Sequence, residues 1–330
     1  MQDTPVIDIH CHGAGIGAGH SGCRIGQRMR RSWKFRHYLK AFGVTANELE
    51  REGDILVIRR LSTQLAASNA VHKAVLFALD GVIDARGQLD EARTELYIPN
   101  TFIKQACQRH PNLLFGASVN PARPDALDCL ERATACGAVL MKWLPSVQGI
   151  DPANPSLIPF YQRLAALKLP LLSHTGNEES FTRADNTLAD PERLRLPLEQ
   201  GVTVIAAHCA SNGRNDRQRN FDRFLTLMRT FPNLHGDLSA LTQINRLGHL
   251  QRILKYPEYL DRLHYGTDMP LPRTGLTSPW FQLGRLPLAT IRKLAAIDNP
   301  WDQDLQLKLA LGLPARVLHN THRLLRRPSL

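Results

Sequence analysis

Eight short β-rich runs, separated mostly by stretches of helical composition, predict a closed (β/α)8 TIM-type barrel: "VIDIHCH" (6 to 12), "KAVLFALD" (73 to 80), "LLFGASVNP" (113 to 121), "GAVLMKWLP" (137 to 145), "LPLLSHTG" (169 to 176), "VTVIAAHCA" (202 to 210), "NLHGDLSA" (233 to 240) and "LHYGTDMP" (263 to 270). The alternation of strand and helix argues for a parallel sheet, and eight such units suffice to close one. A second observation agrees with this. Several runs end in ionisable residues where apolar strand gives way to loop, the place where such barrels carry their chemistry. At 330 residues the chain is long, yet a barrel with insertions uses that length, and residues 1–330 are read as one barrel domain.

The first run ends in His-Cys-His. Alternate side chains of a strand share a face, so His10 and His12 are expected to point one way with Asp8 and Val6 behind them, and Ile7, Ile9 and Cys11 the other. Alone, a His-X-His pair is most often a hydrogen-bonded core pair, so the rest of the chain must decide. The interval 13–72 is too long for a simple crossover. It opens on the Gly-rich "GAGIGAGHSG" and continues into the basic "CRIGQRMRRSWKFRHYLK", which is read as a mobile loop leading into extra helices. "GAGIGAG" lacks the Lys-Ser/Thr of a phosphate loop and the acidic residue of a dinucleotide site, so a nucleotide fold is set aside. Between later runs, "RPDALDCLERATACG" and "NPSLIPFYQRLAALKLP" place apolar residues at three and four residue steps, as helices do. The interval 271–330 is read as a helical C-terminal extension.

With 43% hydrophobic and 22% charged residues the composition is that of an ordinary globular protein, and no apolar run approaches the roughly 20 residues that cross a bilayer. The first strand begins so near Met1 that no leader is expected, and the cytoplasm is the expected compartment. Six cysteines (Cys11, Cys23, Cys107, Cys129, Cys136, Cys209) without a C-x-x-C spacing indicate free thiols. The net charge of +11 favours anionic partners, with basic clusters in 23–40 and in the closing "HRLLRRPSL".

Beyond His10 and His12, Lys142 ends the fourth run, His174 the fifth, His208 the sixth and Asp268 the eighth. Each has an ordinary role available: a snorkelling lysine, satisfied core histidines, a helix-capping aspartate. Four His and one Asp at four strand termini are together a ligand set suited to Zn2+, Mn2+ or Fe2+.

This ordered set resembles the amidohydrolase superfamily, within the broad group that includes aminocarboxymuconate semialdehyde decarboxylase, and the resemblance runs from Val6 to about Pro272. It implies His10, His12, His174 and Asp268 as ligands of the main metal, most simply Zn2+. For His208 it leaves two duties open, acid/base or water-orienting residue beside one ion, or ligand of a second. Lys142 is open in the same way, a carboxylated bridge between two ions or an ammonium that binds a substrate carboxylate. One ion is favoured. The implied reaction is hydrolysis of an amide, lactone or similar bond by metal-activated water, with Asp268 moving the proton and His208 steering water or holding the oxyanion. The alternative is non-oxidative decarboxylation of an unsaturated or aromatic acid.

Arginines stand after several runs: Arg24, Arg28, Arg30 and Arg31 after the first, Arg183 after the fifth, Arg214 after the sixth and Arg273 after the eighth. If two of them reach the pocket the substrate is an acid, and Arg28, Arg31, Arg183 and Arg273 are the candidates, with Lys142. The nuclease branch of the superfamily carries Glu where this chain has Lys142, and only 6% of residues are aromatic, so nucleic acid is not favoured. The expected partner is a small carboxylic acid, and the expected assembly a homo-oligomer.

Overall fold

A computed structural model describes residues 4–325, and the tail from 326 on, with most of the closing basic run, lies outside the described residues. Eight parallel strands form one sheet in chain order: β1 (Ile7–His12), β2 (Lys73–Phe77), β3 (Leu113–Ala117), β4 (Leu140–Trp143), β5 (Leu171–Ser173), β6 (Val204–Ala206), β7 (Leu234–Asp237) and β8 (Leu263–His264). Backbone hydrogen bonds from Ile9 N to Tyr265 O (3.0 Å) and from His12 N to Met269 O (2.9 Å) bring the chain after β8 back to β1 and round the sheet into a barrel. The strands are shorter than the runs that predicted them, because their polar ends turn off the sheet into loops.

Two apolar layers sandwich the strands. Ile7, Ile9, Val75, Phe77, Leu140, Leu172 and Ile205 fill the barrel, with Leu325 packed among them. Ala74, Leu76, Met141, Trp143, Leu171 and Val204 belong to the outer layer that meets the helices. Trp143 stacks on Phe160 with ring centroids 5.6 Å apart and donates its indole N–H to Val119 O, a packing role.

Strand β1 departs from strict alternation. Its register with β2 shifts between Asp8 and Cys11, the mark of a bulge. Ile7 and Ile9 therefore join the interior layer, whereas Val6 and Cys11 pack outside and Asp8 accepts a hydrogen bond from Trp301 Nε1 at 2.9 Å. Asp8 and Val6 do not stand behind the histidines, as simple alternation predicts. The bulge re-phases the strand after Ile9, and His10 turns inward to meet Phe77 edge-on.

The 13–72 interval holds α1 (Gln27–Arg31), α2 (Trp33–Phe42), α3 (Ala46–Glu52) and α4 (Ile55–Ala66). Ser32 caps α2 by accepting from Phe35 N, and Thr45 with Glu48 forms a capping box on α3. The Gly-rich run is tied down rather than loose: the buried Asp54 carboxylate accepts from Ile16 N and Gly17 N at 2.9 Å and from Ser21 Oγ at 2.5 Å. The C-terminal extension is helical, with Leu288–Ala295, Pro300–Ala310 and Asn320–Leu324. Helix Pro300–Ala310 buries Lys308, whose Nζ donates to Asp304 Oδ2 and to Gly266 O, both at 2.6 Å.

Candidate metal centre

The six strand-end residues meet at the C-terminal mouth of the barrel. His10 Nε2 and His12 Nε2 lie 3.1 Å apart, and Asp268 Oδ1 is 3.3 Å from the first and 3.0 Å from the second. The His208 ring stacks on His10 and stands edge-on to His174, both at 5.2 Å, with its Nε2 3.8 Å from Asp268 Oδ2. Lys142 Nζ is 3.0 Å from His10 Nε2. Asp268 has left the strand at φ 63, and its N–H donates to His10 O at 2.9 Å.

Hydrogen bonding fixes which nitrogens carry lone pairs. His10 Nδ1 donates to Asp237 Oδ2 at 2.7 Å, so its Nε2 presents a lone pair towards the Asp268 carboxylate. That lone pair accepts from Lys142 Nζ and faces the Asp268 oxygen, two acceptors that a cation between them would satisfy together. Burial lowers the pKa of His10 and keeps it neutral, and it pushes His174 down to about 4. His174 Nε2 is buried with no hydrogen-bond partner, while its Nδ1 lies 3.6 Å from Glu178 Oε2. Two convergent imidazoles, a carboxylate and an orphaned ring nitrogen beside them fit a divalent metal. The ligand atoms of His10, His12 and Asp268 all lie within 4.8 Å of one another, and those of His10, His208 and Asp237 form a second such group. In the second group the His10 Nδ1 proton is already bonded to Asp237 Oδ2.

Sequence reasoning missed the residues that hold these groups. Asp237 Oδ1 accepts from His208 N at 3.0 Å and Ser239 N at 2.8 Å, and the Ser239 hydroxyl bonds to it as well. Burial works against its charge, but His10, His208 and Ser239 hold the carboxyl well below its usual range. His208, Cys209 and Ala210 follow one another at φ 56, 48 and 48. Left-handed backbone costs about 1–2 kcal/mol at each non-glycine residue, so the Asp237 bonds brace a strained turn that aims His208 inward. Asp8 accepts from His10 N, Thr267 N and Trp301 Nε1 at 2.9 Å and from Thr267 Oγ1 at 2.5 Å, tying β1 to the segment before Asp268. Burial raises its pKa to about 6. Asp237 was findable, because it ends the seventh run as the other groups end theirs. Glu178 sits in a loop and the buried Arg246, which donates to Ser211 Oγ at 2.7 Å, ends the short 3-10 turn Ile244–Arg246, places where spacing marks nothing.

A cavity of about 120 Å³ opens onto His12, Lys142, His174, His208 and Asp268. None of the arginines expected to bind substrate lines it. Arg28, Arg31 and Arg183 line a separate, more open cleft together with Arg24, Arg93, Glu91 and Glu95. Arg273 donates to Gln64 Oε1 at 3.0 Å, Arg30 pairs with Glu50, and Arg214 donates to Arg217 O. Lys142 is the cation at the cavity, and burial lowers its pKa to about 8.

Solved structures share this fold. An uncharacterized TIM-barrel protein from Bordetella bronchiseptica is similar over 92% of this chain and 99% of its own, with a TM-score of 0.58 and 16% identity. A probable 2-pyrone-4,6-dicarboxylic acid hydrolase from Acinetobacter baumannii, solved with citric acid bound, gives a TM-score of 0.53 at 14% identity over 97% of this chain and 98% of that one. The apo form of IDCase from Metarhizium anisopliae gives 0.51 at 14% identity over the same shares of the two chains. No curated protein matches the sequence. The family model for amidohydrolases matches residues 7–319, from β1 into the C-terminal extension, and the chain belongs to that amidohydrolase family.

Proposed function

We propose that this chain is a metal-dependent hydrolase that opens an amide, lactone or similar bond in a small molecule bearing a carboxylate. The supporting observation is the convergence of His10 Nε2, His12 Nε2 and Asp268 Oδ1 at 3.0 to 3.3 Å beside the unpartnered His174 Nε2. These four residues would hold one divalent cation, Zn2+ foremost, with Mn2+ and Fe2+ as alternatives. Bound there, such an ion supplies Lewis acidity, polarising a carbonyl and making water a stronger acid.

The chain's own groups divide the remaining work. Asp237 keeps the His10 proton on Nδ1 and so turns Nε2 outward as a ligand. His208 Nδ1 lies 3.1 Å from Ser239 O and donates to it, which leaves Nε2 as an acceptor able to orient the attacking water. Asp268 takes the proton of that water and returns it to the leaving atom. The His10 lone pair cannot serve both Lys142 and a cation. When a cation takes it, the Lys142 amine is free to donate to a substrate carboxylate at the cavity it lines.

A panel of lactones, amides and esters of carboxylic acids tests this. Turnover should require metal, and Asp268→Asn should lower it at least about a hundredfold, the scale of a lost acid/base group. CO2 released without uptake of water would replace hydrolysis by decarboxylation.

A further inference from the structure

We infer that the substrate's body is uncharged and apolar, about the size of one six-membered ring, with its charge confined to the end that meets Lys142. This rests on the proposed hydrolase site and adds what fills the space above it.

The cavity wall over the polar cluster comes largely from the segment between β1 and α4: Ile25, Met29, Phe35, Leu39, Phe42 and Leu49. Helix α1 divides its side chains between two spaces. Met29 faces the cavity, whereas Arg28 and Arg31 line the separate cleft. The basic segment thus presents its apolar side to the substrate. Apart from the cluster itself, the polar lining is limited to Tyr38, Glu178 and Ser180, and among the described residues Lys142 is the one lysine or arginine in it. A second carboxylate on the substrate would find no cation on this wall, and Glu178 would repel it, so its lost hydration would go uncompensated. An apolar body gains instead, by about fourfold in affinity for each buried methylene. The volume of about 120 Å³ sets the size, since an apolar cavity of about 150 Å³ accommodates benzene.

Calorimetry on the metal-loaded full chain with acetate, benzoate, p-toluate and terephthalate tests the inference, since the last two differ in shape by little more than methyl against carboxylate. Benzoate should bind at least about tenfold more tightly than acetate, and p-toluate at least about tenfold more tightly than terephthalate. Met29→Arg should invert the second preference, and Leu39→Lys, at a half-buried position, serves the same purpose if Met29→Arg does not fold. Terephthalate binding as tightly as p-toluate, acetate matching benzoate, or no binding by any of the four overturns the inference. Metal content measured on the same samples separates the two claims: a folded chain that takes up no metal removes the hydrolase site itself, while a loaded chain with the wrong preference removes only the apolar substrate.

Discussion

Replacing Lys142 by Met takes an ammonium out of a costly place. Lys142 is 1% exposed, its amine stands 5.1 Å from the Phe77 ring centroid, and its hydrogen-bond partner is a neutral imidazole. Burial lowers its pKa from 10.5 to about 8, although Asp237, Asp268 and Glu178 pull the other way. That drop corresponds to about 3 kcal/mol against the charged form. The unfolded chain keeps this proton up to pH 10.5 and the folded chain only to about 8, so the penalty is full below pH 8, shrinks through the interval and is gone above it. Met fills a similar volume without charge, and losing the bond to His10 costs about 1 kcal/mol. In urea unfolding of chelator-treated protein, Lys142→Met should therefore be about 2 kcal/mol more stable than wild type at neutral pH and lose that advantage above pH 10.5. A variant less stable at neutral pH, or a gap that ignores pH, refutes the buried ammonium. Stabilisation of the wild type by bicarbonate would identify a carboxylated side chain in its place.

Other perturbations separate the supporting groups. Asp237→Asn should weaken metal affinity about 10 to 100-fold in competition with a chelator, because His10 loses the acceptor that fixes its tautomer. Gly266→Ala would place a Cβ 3.1 Å from His10 Cβ and 3.2 Å from Ser239 Cβ, so it should cost roughly 1–3 kcal/mol in denaturant unfolding and reduce metal affinity by displacing His10. Near the starts of β7 and β8, His235 Nδ1 lies 2.9 Å from His264 Nε2, and burial lowers His235 from 6.5 to about 4. The unfolded chain accepts that proton first, so His235 alone should account for up to about 3 kcal/mol of the stability lost as pH falls from 6.5 to 4, and His235→Leu should make that limb of the unfolding profile shallower by about that amount, the remaining slope coming from His174 and the other buried histidines.

The eight strands were legible because apolar β-rich runs alternate with helical periodicity, and the histidines and Asp268 because polar residues closing such runs are conspicuous. The phase of β1 was not, since a bulge leaves no mark in an apolar sequence and only the pairing with β2 exposes it. The arginines misled for a related reason. Sequence places Arg28 and Arg31 beside the mouth, but which side of a five-residue helix faces the cavity is decided by packing, and there Met29 turns in. The clamp through Asp8, Thr267 and Trp301 joins residues distant in the chain, so no local pattern announces it. Part of the difficulty is that Asp8 looks like a third inward group of the His-X-His strand until the bulge is seen.

Metal content of protein purified without added metal, with His174→Ala measured alongside, is the sharpest check on the site. One divalent ion per chain is expected in the wild type, with lower occupancy in the variant because a buried ring nitrogen that has no other partner is removed. A folded wild-type chain free of metal even after incubation with Zn2+, Mn2+ or Fe2+, or an occupancy indifferent to His174→Ala, would contradict it.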